Sequence, residues 1–465
     1  MDPITLNAIQ GAAGAAGGDS TKYVEEVFST YLWEGNETER DITNGIDLDG
    51  KGGMVWTKRR NAAGSHYLFD TEREANNYVK ADDIAGQTNS SNRLNAFNDD
   101  GYTVGTDEDL NKDDDTFVGW TFRKAPGFFD VVTYTGNATN RTIAHNLGCV
   151  PGMMIVKRTS SGDEAWAVYH KSTGNTKYLS LSEATGEQTS TLRWNDTTPT
   201  DTVFTIGTDP NVNEDTKTYV AYLFADGDDT DAQIFGDDED EAIIKCGSYT
   251  GTGNYDGNTI NLGFEPQYVM IKRSESSHSN GNWFIVDHMR GFLVEGDVKT
   301  LEPDTNDDEW NNIQINLTST GFVINEGDNP RVNATGGTYI YMAIRRGPMK
   351  TPEDATEVFA IDTGSSSSTI PNYDSGFPVD LALLTTPASA NDKLIHNRLT
   401  DSFLRTNTDE TEVVNGANDG FDSNVGWGMI RNSTYQSWMF RRAPGFFDVV
   451  CYEGTGTNSA GTQQV

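Results

Sequence analysis

Short apolar runs separated by polar, turn-forming residues occupy most of the chain. In one representative stretch each run has four to six residues, many of them β-branched or aromatic, and Gly, Asn, Asp, Thr and Ser are common between the runs. The runs of this stretch are 129–134, 153–157, 165–170, 178–181, 203–206 and 219–224. Such runs are typical of strands, and no segment between them has the 3.6-residue period of a crossover helix. The pattern predicts an all-β protein made of β-sandwiches.

Internal repeats are the strongest signal in the sequence. The segment 122–136 recurs at 440–454 with only three of fifteen positions changed, 318 residues further on. Anchor residues between Tyr134 and Arg158 recur at an offset of 115, and a match at an offset of 101 relates the region of Phe28 to that of Phe129. Each copy closes on an aromatic, alternating run. The chain is therefore predicted to be a tandem array of modules of about 100 residues.

The repeats set the expected domain boundaries. We expect an N-terminal attachment arm at 1–21, β-sandwich modules at 22–125, 126–227 and 228–350, a divergent module at 351–444, and the start of an incomplete module at 445–465. Within the arm, the Ala- and Gly-rich stretch 3–18 favours a short helix or a flexible segment. A Pro-Gly turn at Pro126 and Gly127 joins two modules so closely that they must pack. This linkage predicts a semi-rigid rod.

Charge excludes some partners. The chain carries 34 Lys and Arg against 70 Asp and Glu, a formal net charge of −36, which repels nucleic acid. No apolar run approaches the roughly 20 residues of a membrane-spanning helix, so no membrane insertion is predicted. Cys149, Cys246 and Cys451 lie far apart without CxxC spacing and are expected to be free thiols.

No catalytic residue, cofactor or metal site is predicted. The six histidines lack HxH and HExxH spacing, and for His145 a turn role is favoured over that of a base. Acidic clusters at 107–109, 113–115 and 237–240 resemble calcium ligands only in residue type and lack the Asp-x-Asp-x-Asp-Gly loop, so a solvated surface is favoured and loosely bound Ca²⁺ is the alternative. Carboxylates are so abundant that a glycosidase pair is neither recognised nor excluded.

Tryptophans near strand ends are the candidate binding residues. Their indole faces stack on sugars when polar groups lie beside them, although most tryptophans of a β-sandwich belong to its core. The candidate carbohydrate contacts are Trp166, His170, Trp194, Asn195, Trp283 and His288. His170 and His288 both follow a Trp-containing strand, which suggests a shared surface position.

The junction sequence carries a family resemblance. Residues 120–137, followed by 145–148 and 151–157, resemble the repeated modules of tail-fibre-like virion proteins of marine bacteriophages, and 243–251 with 339–348 fit the next module. The resemblance runs from about Lys22 to the end of the sequence. With the strand pattern it implies lectin-like or jelly-roll-like sandwiches, and it supplies no catalytic residues.

The resemblance implies a non-enzymatic structural protein of the bacteriophage virion, assembled in the host cytoplasm. We expect a tail fibre or appendage for host attachment, joined to other tail proteins through residues 1–30, forming a homotrimer and contacting a host cell-surface glycan or receptor. The alternatives are a capsid fibre or decoration protein and a polysaccharide depolymerase of the tail. Because Val465 falls in mid-module, we also expect the sequence to be a virion-proximal part of a longer polypeptide.

Overall fold

The computed structural model describes residues 22–451, apart from 256, 276–280, 367–369, 415–419 and 429–430. Strands make up nearly all of its regular structure, which confirms the all-β prediction. The helices α1 (Leu48–Lys51), α2 (Glu108–Asn111) and α3 (Pro210–Asn213) are single turns. Four 3₁₀ segments are Val24–Glu26, Thr230–Ala232, His288–Arg290 and Ala355–Glu357. The predicted arm at 1–21, with its stretch 3–18, and most of the incomplete module at 445–465 lie outside the described residues.

The strands fall into four consecutive groups. Group 1 contains β1 (Phe28–Glu34), β2 (Arg40–Thr43), β3 (Gly53–Arg59), β4 (Tyr67–Asp70), β5 (Asn77–Lys80), β6 (Thr88–Asn89), β7 (Leu94–Asn98), β8 (Gly101–Val104) and β9 (Thr116–Arg123). Group 2 contains β10 (Phe129–Thr135), β11 (Arg141–Ala144), β12 (Met153–Arg158), β13 (Ala167–His170), β14 (Lys177–Tyr178), β15 (Gln188–Thr189), β16 (Val203–Ile206) and β17 (Thr218–Phe224).

Groups 3 and 4 follow in the same way. Group 3 contains β18 (Ile244–Thr250), β19 (Asn258–Asn261), β20 (Pro266–Arg273), β21 (Trp283–Asp287), β22 (Lys299–Thr300), β23 (Trp310–Asn311), β24 (Ile315–Thr318), β25 (Gly321–Ile324) and β26 (Thr338–Arg345). Group 4 contains β27 (Phe359–Thr363), β28 (Tyr373–Asp374), β29 (Leu381–Thr385), β30 (Leu394–Asn397), β31 (Ser402–Arg405), β32 (Val413–Val414), β33 (Gly426–Trp427) and β34 (Gln436–Phe440).

One strand order recurs in the large sheet of every group. The orders are β1-β9-β3-β4, β10-β17-β12-β13, β18-β26-β20-β21 and β27-β34-β29-β30, with β5-β6 and β31-β32 extending the first and the last. In each group the first strand pairs with the last strand. Among the described strands, every sheet consists of strands from a single group. Smaller sheets are β2-β8-β7, β11-β16, β14-β15, β19-β25-β24, β22-β23 and β28-β33. This order is what tandem modules would give, and the module boundaries stay predictions.

One face of each large sheet packs on a smaller sheet of its own group. In group 1, Val55 and Phe69 of the large sheet share a core with Ile42 and Tyr102 of the smaller one. In group 3, residues of β20 and β21 share a core with residues of β19, β24 and β25 in the same way. The period-2 alternation of a strand sends every second side chain to this face. The result is a sandwich-like two-layer arrangement.

The other face of the first three large sheets meets in a central core. Each sheet contributes a row of directly paired residues, here called the core row. The core rows are Thr30, Trp120, Trp56, Leu68 and Val79 in group 1, Val131, Tyr222, Ile155, Val168 and Leu179 in group 2, and Cys246, Met342, Met270, Ile285 and Leu301 in group 3. Every member is at most 3% exposed, and all but Thr30 belong to one continuous apolar cluster.

The central core contradicts the predicted rod. Group 1 contacts group 3 directly, since the ring of Tyr268 lies 5.6 Å from that of Phe28 and 6.0 Å from that of Trp120. In a rod that follows chain order these two groups would not touch. The physical reason is that each large sheet has two apolar faces, and only packing of the three sheets against one another removes the second face from water.

Group 4 attaches to this unit mainly through polar contacts. Ion pairs join Arg346 to Asp380 at 2.9 Å and Arg60 to Asp422 at 3.1 Å. Leu399 adds an apolar contact with the sandwich core of group 3. Group 4 also has a small apolar cluster of its own.

The junctions have the predicted turn. The amide of Ala125 donates to the carbonyl of Phe129 at 2.9 Å, and Gly127 has a φ of 69°, where a side chain would be strained. The second copy repeats the geometry, with a bond of 3.0 Å from Ala443 to Phe447.

The structure also bears on the predictions about cysteines, membrane helices and the attachment surface. All three cysteines are free, as predicted. In the described residues no helix has the length and apolarity that crossing a membrane requires. Within the expected attachment surface at residues 1–30, Val24, Val27 and Phe28 are buried in the central core of the chain itself. Attachment through residues 1–30 stays a prediction, and 1–21 lie outside the described residues.

Candidate functional site

The three predicted tryptophans lie inside the protein. Trp166, Trp194 and Trp283 are at most 1% exposed, and each indole N–H donates to a backbone carbonyl. Trp166 donates to Lys80 in group 1 at 3.0 Å, Trp283 to Ser180 in group 2 at 2.8 Å, and Trp194 to Lys177 in its own group at 3.0 Å. Their burial contradicts the prediction that these side chains stack on a sugar.

His170 and His288 do not share a surface position. His170 is fully buried in group 2, where Nδ1 accepts from the amide of Ser172 and Nε2 lies 3.1 Å from the carbonyl oxygen of Tyr341 in group 3. By strand register His170 corresponds to Asp287 and not to His288. His170 pairs with Met153 of β12, and Asp287 pairs with Tyr268, the corresponding residue of β20. Burial lowers the pKa of His170 to about 4. Its predicted role at a binding surface is therefore wrong.

The two remaining candidates are partly accessible. His288 is half-buried and lines a cavity of about 260 Å³ between groups 1, 3 and 4. Asn195 is half-buried and accepts a hydrogen bond from Asn140 at 2.6 Å. The structure does not bring these two residues together with the buried tryptophans, and their contact with carbohydrate stays a prediction.

His145 also has an internal role. Its Nε2 lies 3.1 Å from the carbonyl oxygen of Thr200, and its Nδ1 accepts from the amide of Leu147. Both contacts hold the turn after β11, in agreement with the turn role that the sequence favours.

Buried hydrogen bonds connect groups 1, 2 and 3 to one another beside the core rows. Asp70 accepts a hydrogen bond from the hydroxyl of Tyr222 at 2.8 Å, across the boundary between groups 1 and 2. Asp287 accepts one from the indole of Trp120 at 3.0 Å, across the boundary between groups 3 and 1. The contact of His170 with Tyr341 occupies the third boundary. The three contacts therefore form a closed cycle.

Each buried aspartate also has an arginine three residues later. Arg73 pairs with Asp70, and Arg290 pairs with Asp287, both at 2.6 Å. The sequence reasoning missed these residues, although the repeated Asp-x-x-Arg spacing at the end of the fourth strand was a signal that could have found them. Group 2 has Thr173 in place of the arginine. In group 3, which packs against this part of group 2, Met342 occupies the position of Trp120 and Tyr222. Because methionine cannot donate a hydrogen bond, His170 of group 2 instead contacts the backbone carbonyl of Tyr341.

A lysine of the third strand is buried at every boundary. Lys157 donates to the carbonyl of Ile84 in group 1 at 2.6 Å, and Lys272 donates to that of Glu183 in group 2 at 3.2 Å. Lys58 is the corresponding residue of group 1, with Asp307 and Asp308 of group 3 among the nearby charges. Burial lowers the pKa of all three lysines to about 8. The lysine of group 2 therefore faces group 1, that of group 3 faces group 2 and that of group 1 faces group 3, the same cyclic order in which the last strands of these groups contact the aspartates and His170.

One cavity of group 3 has the chemistry of a binding site. It measures about 490 Å³, and its lining includes Glu302, Trp310, Asn312 and Arg331. Arg331 pairs with Glu302 at 2.8 Å and lies over the indole of Trp310 at 4.6 Å. Burial raises the pKa of Glu302 to about 7. An aromatic side chain beside a few polar groups is the usual lining of a small-molecule pocket.

The sequence offered a signal for this cavity. Trp310 is followed by Asn311 and Asn312 and preceded by acidic residues, the same pairing that singled out Trp194. Unlike Trp194, Trp310 is only half-buried. In the part of the chain that the structure describes, no group of three or more His, Cys, Asp or Glu side chains is placed to hold a metal ion.

Comparison with known proteins gives one family. No curated protein matches the chain. A family model described as a domain of unknown function (DUF7483) matches residues 20–348, the stretch that contains groups 1, 2 and 3 and their shared core. The chain therefore belongs to the DUF7483 family.

Proposed function

We propose that the protein is a non-enzymatic structural subunit of a bacteriophage virion, a tail fibre or tail appendage for host attachment. The observation that carries the proposal is that the buried charged and polar side chains bond to other parts of the same chain. Asp70, Asp287, Arg73 and His170 bond across boundaries between groups, so these buried residues hold the protein together and are not presented to a substrate.

The module type adds to this support. The sequence resembles tail-fibre-like virion proteins, and four groups with one strand order fit an array of lectin-like or jelly-roll-like sandwiches with the predicted boundaries. Attachment to other tail proteins through residues 1–30 is part of the proposal. The compact three-group unit, in place of a thin rod, favours a capsid decoration protein as the second candidate.

Localisation tests both candidates. Purified virions would be labelled with an antibody raised against the chain and imaged by electron microscopy. Label on the tail supports the tail appendage, and label distributed over the shell supports the decoration protein. Absence of the chain from purified virions by peptide mass spectrometry would refute both.

Recognition of a host cell-surface glycan is assigned to the Glu302 cavity. Host envelope polysaccharide would be titrated calorimetrically into the protein, with Trp310→Ala as the test variant and Tyr255→Ala, an exposed aromatic of the same group, as the matched control. Binding lost only in Trp310→Ala supports the assignment, and equal binding by both refutes it. Sustained release of reducing ends during the titration would instead favour the depolymerase.

A further inference from the structure

Group 4 has a row of apolar residues at the strand positions of the core rows of groups 1 to 3, and this row is partly exposed to solvent. By strand pairing the row runs through Ile361, Trp438, Leu383, Ile395 and Leu404 across five adjacent strands. Trp438 occupies the position of Trp120, Tyr222 and Met342. In groups 1 to 3 every member is buried, whereas Ile361 is 50%, Trp438 40% and Leu404 45% exposed.

The exposed row continues into a second apolar cluster. The ring of Phe440 lies 5.1 Å from that of Phe359 and 6.4 Å from that of Phe446, which is 45% exposed. In group 1 the corresponding ring of Phe122 lies 5.1 Å from that of Phe28 and 6.2 Å from that of Phe128, and all three rings are buried in the central core. Group 4 thus has the aromatic arrangement of the central core without the groups that would cover it.

We propose that the core row of group 4 is covered by the core rows of two further copies of this chain, so that three chains assemble through group 4 as groups 1 to 3 assemble within one chain. The occupant follows from groups 1 to 3, where the same face packs against the corresponding faces of the other two groups. A contiguous apolar face of this size is a mark of an interaction surface in a soluble protein.

The number three follows from the form of the contact. Within the chain the last strand of one group meets the fourth strand of another: Trp120 of group 1 meets Asp287 of group 3, and Tyr222 of group 2 meets Asp70 of group 1. Such a contact joins two different surfaces, so it cannot close as a two-fold dimer and must continue until the cycle is complete. The cycle closes after three groups inside the chain, and the same geometry in group 4 gives a trimer.

Group 4 retains donor and acceptor for this contact. Asn397 occupies the strand position of Asp70 and Asp287, because it pairs with Leu381 as they pair with Met54 and Tyr268. Among the described residues, the indole of Trp438 makes a single long bond, of 3.4 Å, to Gln436 within its own strand. In the trimer it donates to Asn397 of the next copy. A neutral amide here replaces the buried aspartate, whose burial requires an arginine.

The test is the mass of the full chain in solution, measured by native mass spectrometry and sedimentation velocity over a dilution series. We expect a species of three times the 51.0 kDa of the chain. Leu404→Glu should reduce it to the monomer, because a carboxylate would be buried in the interface. Leu192→Glu, the same change at a leucine that is 53% exposed in group 2, should leave the trimer intact.

Two other outcomes overturn the proposal: a wild-type chain that is monomeric or dimeric at every concentration, and a trimer that survives Leu404→Glu. Circular dichroism verifies that the variant is folded. If it is not, Ile361→Glu, at the other end of the row, replaces it with the same expectation. The proposal concerns assembly in solution, so its failure is distinct from failure of the virion assignment.

Discussion

Groups 1 and 4 have the same large-sheet order and almost the same junction sequence, and yet their surfaces differ. Residues 125–132 and 443–450 are identical, but Phe128 is fully buried and Phe446 is 45% exposed. The strands β9 and β34 differ in the same way, since β9 is buried along nearly its whole length and β34 only at alternate residues. The comparison shows that burial in this protein depends on which groups are neighbours, and not on the local sequence.

The two regions also differ in how they are held. Groups 1 to 3 share an apolar core, which supplies most of the stability of a fold. Group 4 is attached by ion pairs such as Arg346 with Asp380, and pairs of this kind contribute less than an apolar core does. We therefore expect groups 1 to 3 to unfold as one unit and group 4 to respond to mutation separately.

The identical junctions give the largest expected contrast. Phe128→Ala should lower the free energy of unfolding by about 3 to 5 kcal/mol, because it leaves a cavity in the central core. Phe446→Ala should change it by less than about 1 kcal/mol in the monomer. Urea unfolding of both variants measures the two values, and similar losses would contradict the comparison.

A slightly smaller effect is expected at the buried aspartates. Asp287→Asn should cost about 3 kcal/mol, because it removes the nearer of the two carboxylates that pair with the buried Arg290, leaving Glu309 at 3.1 Å. Asn397→Ala, at the corresponding position of group 4, should cost less than about 1 kcal/mol in the monomer. Thermal unfolding compares the two variants, and a tolerated Asp287→Asn would show that the pair does not hold the boundary between groups 1 and 3.

His170, at the strand position of Asp70 and Asp287, predicts a dependence of stability on pH. The folded pKa of His170 is about 4 against an ordinary value of 6.5. Between these values the unfolded chain binds a proton that the folded chain does not, so the free energy of unfolding falls as the pH drops, by up to about 3 kcal/mol. His170→Gln should reduce this loss. Unfolding at pH 7 and pH 4 measures the difference, and equal slopes would refute the role.

The smallest effect is expected at Trp438. Trp438→Ser should change the free energy of unfolding by no more than about 0.5 kcal/mol at dilutions where the chain is monomeric, because a partly exposed side chain loses little on truncation. Trp120→Ser, at the same strand position, serves as the matched control and should be strongly destabilising. A large loss for Trp438→Ser in the monomer would mean that the core row of group 4 is covered within the chain.

The sequence by itself determined the strands, the turn between groups and the free cysteines. Apolar runs of four to six residues fit no long helix, and a Pro-Gly pair between two such runs restricts the backbone to a turn. The near-duplicate at 122–136 and 440–454 pointed to related units at both ends of the described chain. These features depend on local preferences, which the residues themselves carry.

Only the tertiary structure decided which faces are buried. Strand alternation tells which residues share a face, but it does not tell what covers that face. Trp120 and Trp438 occupy the same position of the same kind of strand, and one is buried while the other is exposed because group 1 has two neighbours on that side. The closed arrangement of groups 1 to 3 likewise depends on contacts between residues more than 140 positions apart, such as Tyr222 with Asp70. No local pattern specifies those contacts, since they arise from the burial of three sheet faces at once.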